Sequence, residues 1–255
     1  MRAFILNLGD SCADYRYLAP GVADGTQVHV PIRSILVETD DGQGVVIDTG
    51  NPRGYISGNT ATRIGPGRKQ DLDLKGQVLM RPEDYLLRRL ADLDVGSSDV
   101  RHLINTHFHA DHAGNNDLFW NATCYAQRGH LEDGRTNPRF PERYWFSEHL
   151  KYEALDGSQE ILPGVTIVPT PGHVPHHQSV VLDLPNSGRI VVCGDAIFCA
   201  DQLNTNAWSN HQDPVAAEQS ARTLESLVAD RDGFLLFGHD VAQTASLKTA
   251  PFYYD

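Results

Sequence analysis

Hydrophobic residues occur along this chain mainly in short runs bounded by Gly, Asp and Pro turns, a pattern that indicates β-strands. The runs that predict strands cover residues 2–8, 28–39, 44–50, 100–105, 122–127, 164–170, 178–184, 189–194 and 233–238. Strand-forming runs are therefore found from one end of the chain to the other.

Two helices are predicted between these strands. The first begins at about Pro82 with acidic residues in its first turn, and its apolar face carries Leu86, Leu87, Leu90 and Leu93. The second begins at Asp213 and Pro214. Because strands dominate and helices lie between them, we expect an α/β sandwich. No change of composition marks a boundary, so residues 1–255 are expected to form a single domain.

Residues 51–81 lack a regular hydrophobic pattern and are rich in Gly, Pro and Asn, which predicts a long loop. Its basic residues are Arg53, Arg63, Arg68, Lys69, Lys75 and Arg81, and its acidic residues are Asp71 and Asp73. The segment therefore carries a local charge of +4 in a chain whose net charge is −12. A solvated loop and an anion-binding loop near the functional site both explain this charge, and both interpretations stay open.

The composition limits the possible functions. The chain has 255 residues, of which 40% are hydrophobic, and its net charge of −12 argues against nonspecific binding to nucleic acid. No apolar run approaches the roughly 20 residues that span a membrane, and the apolar stretch in MRAFILNLGD is too short for a signal peptide, so we expect a cytoplasmic protein. The four cysteines form no C-x-x-C pair, which argues against a disulfide framework or a thiolate zinc site.

Four candidate metal ligands stand within six residues, directly after the strand run 100–105. They form the pattern H-x-H-x-D-H at His107, His109, Asp111 and His112. The number of chance matches to this pattern in a chain of this composition is on the order of 10⁻³. An accidental group of loop histidines is therefore a poor explanation.

Three more candidate ligands each follow an apolar strand run. They are His173 in TPGH, Asp195 in VVCGDA and His239 in LLFGHD. A single histidine after a strand is more often structural than a ligand, so each is weak evidence alone. Together with the first four they make five imidazoles and two carboxylates, which are too many for one tetrahedral ion and suitable for two.

In these motifs and their spacing, between residues 44 and 240, the chain resembles the metallo-β-lactamase superfamily. The resemblance implies an αββα sandwich. The ligands that it implies are His107, His109 and His173 for one metal, Asp111, His112 and His239 for the other, and Asp195 between the two. Asp48 in IDTG matches the structural aspartate of the superfamily at the edge of the site.

Differences within the superfamily favour one branch. No acidic residue replaces His109 or His112, which disfavours the redox di-iron branch, and Asp195 stands where β-lactamases have cysteine or serine. Only 16 residues follow His239, too few for the helical glutathione-binding domain of glyoxalase II, and we expect neither the insertions nor the basic surface of the nucleases. The strand-rich N-terminal part, the run PGHVPHHQS and the ending APFYYD are similar to the N-acyl homoserine lactonase branch.

The resemblance implies a hydrolase that opens a lactone ring. Two divalent cations, expected to be zinc although manganese, iron or cobalt also suit these ligands, would lower the pKa of a bridging water to near neutrality. The resulting hydroxide would attack the ring carbonyl, and Asp111 would manage the proton. Hydrolysis of another ester, thioester, amide or phosphoester is an alternative, and a noncatalytic metal-binding protein is another.

One residue departs from the lactonase pattern. That branch usually has a tyrosine three residues after the bridging aspartate, where it assists the substrate carbonyl, and this chain has Phe198. A phenyl ring cannot donate a hydrogen bond. His211 and Tyr55 are the candidate replacement donors, with an ordinary exposed loop histidine as the alternative for His211.

Substrate contacts are harder to assign from the sequence. The candidates for binding an anionic group of a lactone or ester substrate are Arg53, Arg63, Arg68 and Lys69, with Phe198 as a further contact. His176 and His177 are expected to orient ligands, and Cys193 and Cys199 to be small buried residues. We expect no nucleic acid or membrane partner, and the oligomeric state stays open.

Overall fold

A computed structural model of the chain describes residues 1–21, 25–56, 78–229 and 231–255. Its strands are β1 (Arg2–Asp14), β2 (Gln27–Glu38), β3 (Gly44–Ile47), β4 (Val78–Leu79), β5 (Val100–Ile104), β6 (Thr123–Gln127), β7 (Lys151–Leu155), β8 (Gln159–Leu162), β9 (Val165–Pro169), β10 (Gln178–Leu184), β11 (Gly188–Gly194) and β12 (Gly233–Phe237). Its α-helices are α1 (Tyr15–Leu18), α2 (Leu86–Ala91), α3 (Ala110–Ala113), α4 (Arg128–Gly134), α5 (Glu142–Trp145), α6 (Ala200–Thr205), α7 (Pro214–Ala229) and α8 (Val241–Thr244). None of the described helices is long and apolar enough to cross a membrane.

The described strands form two sheets. The first has the order β4-β1-β2-β3-β5-β6-β7, and the second has the order β12-β11-β10-β9-β8. The first sheet is antiparallel from β4 to β3 and parallel from β3 to β7. In the second sheet β11 and β12 are parallel, and the other described pairs are antiparallel. Each sheet thus has a parallel part in which the carboxyl ends of neighbouring strands share one edge.

The alternation of side chains along the strands explains the layers. In β2, Ile35 and Val37 join the core between the sheets, whereas Leu36 joins the core on the opposite face, under the leucines of α2. Helix α7 packs on the outer face of the second sheet through Ala217 and Leu224. Because both faces of each sheet are covered, the strands are continuous apolar runs. These layers confirm the predicted αββα sandwich.

The helix that the sequence predicts from Pro82 begins later than expected. Residues Pro82–Asp84 form a 3₁₀ turn, and helix α2 begins only at Leu86. The Asp84 carboxylate accepts hydrogen bonds from the backbone N–H and the guanidinium of Arg81 (2.9 and 3.0 Å), and Tyr85 is extended, with a ψ of 134°. The acidic residue therefore closes the turn and does not begin the α-helix.

The long loop that the sequence predicts at 51–81 is only partly described. Residues Arg53–Tyr55 form a 3₁₀ turn, and Val78 and Leu79 form β4, which pairs with β1. The prediction of a loop is wrong for β4, because a strand of two residues has no period to detect. Residues 57–77, with Arg63, Arg68 and Lys69, lie outside the described residues.

Two strands at the sheet edges were not predicted from the sequence. They are β7 and β8, with the sequences KYEAL and QEIL. Both are short and largely polar, since an edge strand is less enclosed than a central one, so their hydrophobic pattern is weak.

Candidate metal centre

The candidate ligands all follow strands. The segment 107–112 comes after β5, His173 after β9, Asp195 directly after β11, and His239 after β12. Since β11 and β12 are parallel neighbours, their ends place Asp195 and His239 side by side. The face-to-face packing of the sheets then brings both next to the loop after β5.

A glycine before His173 permits a close approach of this loop to α7. Gly172 has a φ of +142°, and a Cβ at this position would lie 2.4 Å from the Cα of Ala217. A side chain would therefore force the loop away from the helix. The glycine of the PGH string is thus required for the packing that places His173.

Three imidazoles and one carboxylate form the first group of candidate ligands, in which the donor atoms lie within 4.8 Å of one another. His109 Nδ1 lies 2.8 Å from His107 Nε2 and 3.1 Å from His173 Nε2. Asp195 Oδ2 lies 3.1 Å from His173 Nε2 and 3.6 Å from His107 Nε2. Tetrahedral coordination with bonds of about 2.1 Å separates ligand atoms by about 3.4 Å, so the spacing fits one small cation.

The second group consists of Asp111, His112 and His239, also with donor atoms within 4.8 Å. Asp111 Oδ2 lies 3.7 Å from His112 Nε2 and 3.8 Å from His239 Nε2. Asp195 Oδ1 lies 3.2 and 3.1 Å from the same two nitrogens. One oxygen of Asp195 therefore faces each group, as in a carboxylate that bridges two cations.

Buried polar atoms without a partner show that these residues fit bound cations. Both His112 Nε2 and Asp195 Oδ1 are buried and lack a hydrogen-bond partner. Such an atom costs about 1–3 kcal/mol when it is left unsatisfied, and a cation held between the two would satisfy both. The chemistry of the donors, imidazole nitrogen and carboxylate oxygen, is that of divalent metal sites.

Asp48 holds the His112 ring of the second group through the ring nitrogen that faces away from the other candidate ligands. Its Oδ2 accepts a hydrogen bond from His112 Nδ1 (2.7 Å), which leaves Nε2 of that ring free for a metal. Asp48 also accepts hydrogen bonds from the backbone N–H and the hydroxyl of Thr106, at 2.7 and 2.8 Å. Its φ of +56° is uncommon for a residue with a side chain, although aspartate tolerates it better than most. Asp48 thus lies where the sequence resemblance implies it.

Other candidate ligands also have fixed outer partners. His239 Nδ1 donates a hydrogen bond to the carbonyl of Pro31 (3.0 Å). The guanidinium of Arg33, which is buried, donates hydrogen bonds to the carbonyls of Phe237 and Asp240 on either side of the Gly238–His239 pair. His177 Nε2 accepts a hydrogen bond from the backbone N–H of Asp195 (3.1 Å), a contact that is consistent with the predicted role of His177 in orienting this candidate ligand. His176 instead lies 4.0 Å from an aspartate on α4, so the same prediction is not supported for it.

Burial and charge act differently on the histidines. Burial lowers the pKa of His107 and of His173 well below the usual value, so both rings stay neutral and keep a lone pair for a metal. Burial also acts to lower the pKa of His112, but the surrounding carboxylates, Asp195 first, outweigh it and raise that pKa well above the usual value. The second group therefore has an excess of negative charge, which a cation would balance.

A pocket of about 530 Å³ opens above both groups. The candidate ligands on its floor are His109, Asp111, His173, Asp195 and His239. Its sides include six residues that we call the pocket wall: Tyr17, Leu18, Val30, Arg139, Tyr144 and Phe198. A volume of this size suits a small molecule, and the mixture of an ionic floor with a mainly apolar wall suits a polar reacting group attached to an apolar chain.

The two donors that the sequence suggests lie outside the lining of this pocket. His211 is buried and stacked on Phe198, with ring centroids 5.1 Å apart, and its Nε2 accepts a hydrogen bond from the Gln202 amide (2.7 Å). The Tyr55 hydroxyl lies 3.3 Å from that of Tyr144, which lines the pocket in its place. Neither His211 nor Tyr55 is therefore placed to reach a substrate carbonyl.

Of the predicted substrate contacts among the described residues, one lines the pocket and one does not. Phe198 lines the pocket, and its ring lies 5.3 Å from the ring of His173. Arg53 is exposed and does not line the pocket. Sequence reasoning missed Tyr17 and Arg139, which do line it. No motif signals either of them, because Tyr17 lies on a helix of only four residues and Arg139 lies in a segment without regular secondary structure.

Comparison with known proteins gives consistent matches. The model of the metallo-beta-lactamase superfamily matches residues 29–239. The N-acyl homoserine lactonase AiiA of Bacillus thuringiensis subsp. kurstaki is 27% identical over 254 residues, which cover 99% of this chain and 98% of AiiA. The N-acyl homoserine lactonase AttM of Rhizobium radiobacter is 26% identical over 273 residues, with 100% of this chain and 98% of AttM covered.

Solved structures give the same result. An N-acyl homoserine lactone hydrolase, solved with the product N-hexanoyl-L-homoserine at its catalytic metal center, has a TM-score of 0.87 and 27% identity, with 99% of this chain and 98% of that chain covered. AidC, a dizinc quorum-quenching lactonase, has a TM-score of 0.66 and 16% identity, with 94% of this chain and 87% of AidC covered. At that identity the similarity to AidC concerns the fold alone.

Proposed function

Because this chain belongs to the metallo-β-lactamase superfamily, we propose that it is a two-metal hydrolase that opens the ring of N-acyl homoserine lactones. The observation that carries the proposal is the carboxylate of Asp195, which presents one oxygen to each group of ligands. Lactone hydrolysis, the function that the sequence predicts, is the activity named for relatives that are similar over nearly the whole chain.

We propose that the metals are divalent cations, and zinc in particular. The ligands of the first would be His107, His109 and His173, those of the second Asp111, His112 and His239, with Asp195 shared. Zinc suits a site with several imidazoles and spacings close to those of a tetrahedron. When bound, such cations lower the pKa of a water held at the site and polarise a substrate carbonyl.

The protein itself positions the substrate and manages protons. Asp111 lines the pocket and its side chain is 31% exposed, so its second oxygen, Oδ1, can accept a proton there. In the overall reaction water adds to the ring carbonyl, the ring C–O bond breaks, and the ring oxygen takes up a proton. Returning the proton from Asp111 to that oxygen completes the hydroxy acid product.

The pocket wall suits the acyl chain of such a substrate. Leu18, Val30 and Phe198 are almost fully buried and form one apolar cluster at the side of the pocket. An acyl chain that lies against this surface is removed from water, at about 0.8 kcal/mol for each buried CH₂ group. Longer acyl chains are therefore expected to bind more tightly until the pocket is filled.

The test is removal and return of the metal. Purified protein is assayed with N-hexanoyl-L-homoserine lactone, and the acid released on ring opening is followed by pH-stat titration. We expect a chelator to abolish ring opening and added zinc to restore it, with about two metal ions per chain by elemental analysis. Protein that holds two ions and opens no lactone would contradict the proposal.

A substrate panel distinguishes the alternatives. Thioesters, phosphodiesters and linear esters are offered to the same metal-loaded protein. Faster hydrolysis of one of these substrates than of every lactone would show that the protein is a hydrolase with the same fold but a different substrate. Inertness towards all of them would indicate a noncatalytic metal-binding protein.

A further inference from the structure

The short helix α1 forms one side of the pocket. Tyr17, on this helix, lines the pocket together with the five candidate ligands on its floor, and the centroid of its ring lies 5.6 Å from that of Phe198. Phe198 in turn touches the rings of His173 and His239, at 5.3 and 5.9 Å between centroids. Tyr17 therefore lines the same pocket as the candidate ligands and packs against a phenylalanine that contacts two of them.

Four contacts hold α1 in this position. The Asp14 carboxylate caps the helix by accepting a hydrogen bond from the backbone N–H of Arg16 (2.9 Å). The hydroxyl of Tyr15 donates to Asp201 (2.6 Å), and Leu18 is buried in the cluster that contains Phe198. The amide of Asn210 also donates a hydrogen bond to the carbonyl of Tyr17 itself. The backbone of Tyr17 is thus fixed relative to Phe198 although the helix has only four residues.

The hydroxyl of Tyr17 is available as a donor. Among the described residues it has no hydrogen-bond partner, whereas the hydroxyl of Tyr144, the other phenol in the pocket lining, is bonded to Arg143 (2.9 Å). The side chain of Tyr17 is about half exposed, and partial burial together with the negative charges of Asp195 and Asp111 raises its pKa above the usual value. The phenol therefore keeps its proton at neutral pH and lies within the field of the metal centre.

We propose that Tyr17 donates a hydrogen bond to the ring carbonyl oxygen of the lactone and that this bond strengthens as negative charge develops on the oxygen. The inference rests on the proposed function, since it names a catalytic residue of the same reaction. It also accounts for Phe198: the ring at position 198 cannot donate, and the phenol that packs against it comes from another part of the chain.

The experiment compares Tyr17→Phe with the wild type on N-hexanoyl-L-homoserine lactone. Loss of one donor to a developing oxyanion costs about 10²-fold in kcat, so we expect kcat to fall by about that factor with little change in KM. The matched control is Tyr253→Phe, which removes the hydroxyl of a surface tyrosine that packs on Arg2 and Phe4. We expect the control to keep wild-type kinetics.

A second variant tests the relation to Phe198. In the Tyr17→Phe background, Phe198→Tyr returns a phenol to the neighbouring ring position, and we expect it to recover at least about tenfold of the lost kcat. An increase in KM at unchanged kcat for Tyr17→Phe would overturn the proposal, because Tyr17 would then be only an apolar surface. Loss of bound metal in that variant would overturn it as well, because the ring would then act through the metal centre.

These outcomes are separate from failure of the proposed function. A metal-loaded wild type that opens no lactone would overturn the proposed function and this inference together. An active wild type with an equally active Tyr17→Phe variant would overturn the inference alone.

Discussion

The metal centre and the pocket wall above it are built in different ways. Each candidate ligand follows a strand, and Asp48 and the carbonyl of Pro31 fix the orientation of the His112 and His239 rings. The wall comes from short segments, and Tyr17 and Arg139 on it have side-chain polar groups without partners among the described residues. This difference indicates that a metal centre held by many contacts can be combined with a pocket wall whose polar groups are available to bind a substrate.

The largest effect is expected at the residue that joins the two groups of ligands. Asp195→Asn leaves one neutral carbonyl oxygen, which cannot present an anionic oxygen to both groups. We expect bound metal to fall from two ions towards one, and lactone turnover to fall by at least about 10³-fold, because a metal contributes several kcal/mol to transition-state stabilisation. Elemental analysis and steady-state kinetics measure both. Two retained ions with near-normal turnover would show that the groups are independent.

A smaller loss is expected when the outer partner of a ligand is changed. Asp48→Asn weakens the hydrogen bond that orients His112, and we expect metal affinity or turnover to fall by about 10–100-fold. Asparagine also tolerates a positive φ, so backbone strain does not explain such a loss. Asp94→Asn is the matched control, because Asp94 is exposed and has a φ of +59°. Equal metal affinity and turnover in both variants and the wild type would show that Asp48 does not contribute to metal binding.

The same comparison explains what could be predicted from the sequence. The loop at 107–112 is a contiguous motif after an apolar strand, and His173, Asp195 and His239 stand in the same relation to strands, so their meeting follows from the fold. The layers also follow from the pattern, because strands with two buried faces are continuous apolar runs. Local sequence and tertiary contacts agree in these regions.

The pocket wall could not be predicted for the opposite reason. Tyr17 faces the pocket because α1 is anchored to Asp201 and Asn210, which are distant in sequence and belong to no motif. Tyr55 has the chemistry of a donor, but it packs behind Tyr144. Residue type alone does not tell which of several tyrosines lines a pocket, since that depends on contacts between remote segments.

Arg139 provides the prediction with the smallest expected effect. It is the only arginine or lysine among the described residues that line the pocket. The side chain of Asn137 accepts a hydrogen bond from its backbone N–H (3.0 Å), and the next residue, Phe140, is buried against the ring of His109. Burial lowers the pKa of His109, against the opposing effect of the Asp111 and Asp195 carboxylates, and the Arg139 guanidinium also acts to lower it. Arg139 and His109 line the same pocket.

Substitution of Arg139 tests whether the wall selects for charge. For a lactone with a carboxylate on its acyl chain, we expect Arg139→Gln to raise KM by about threefold, since an exposed ion pair contributes up to about 1 kcal/mol. N-hexanoyl-L-homoserine lactone, which is neutral, should keep its KM, and metal content should not change. Arg53→Gln, a change at an exposed arginine that does not line the pocket, is the control and should affect neither substrate. An equal increase in KM for the charged lactone in both variants would show that the general charge of the surface attracts this substrate. The pocket wall would then not be the region that determines the substrate.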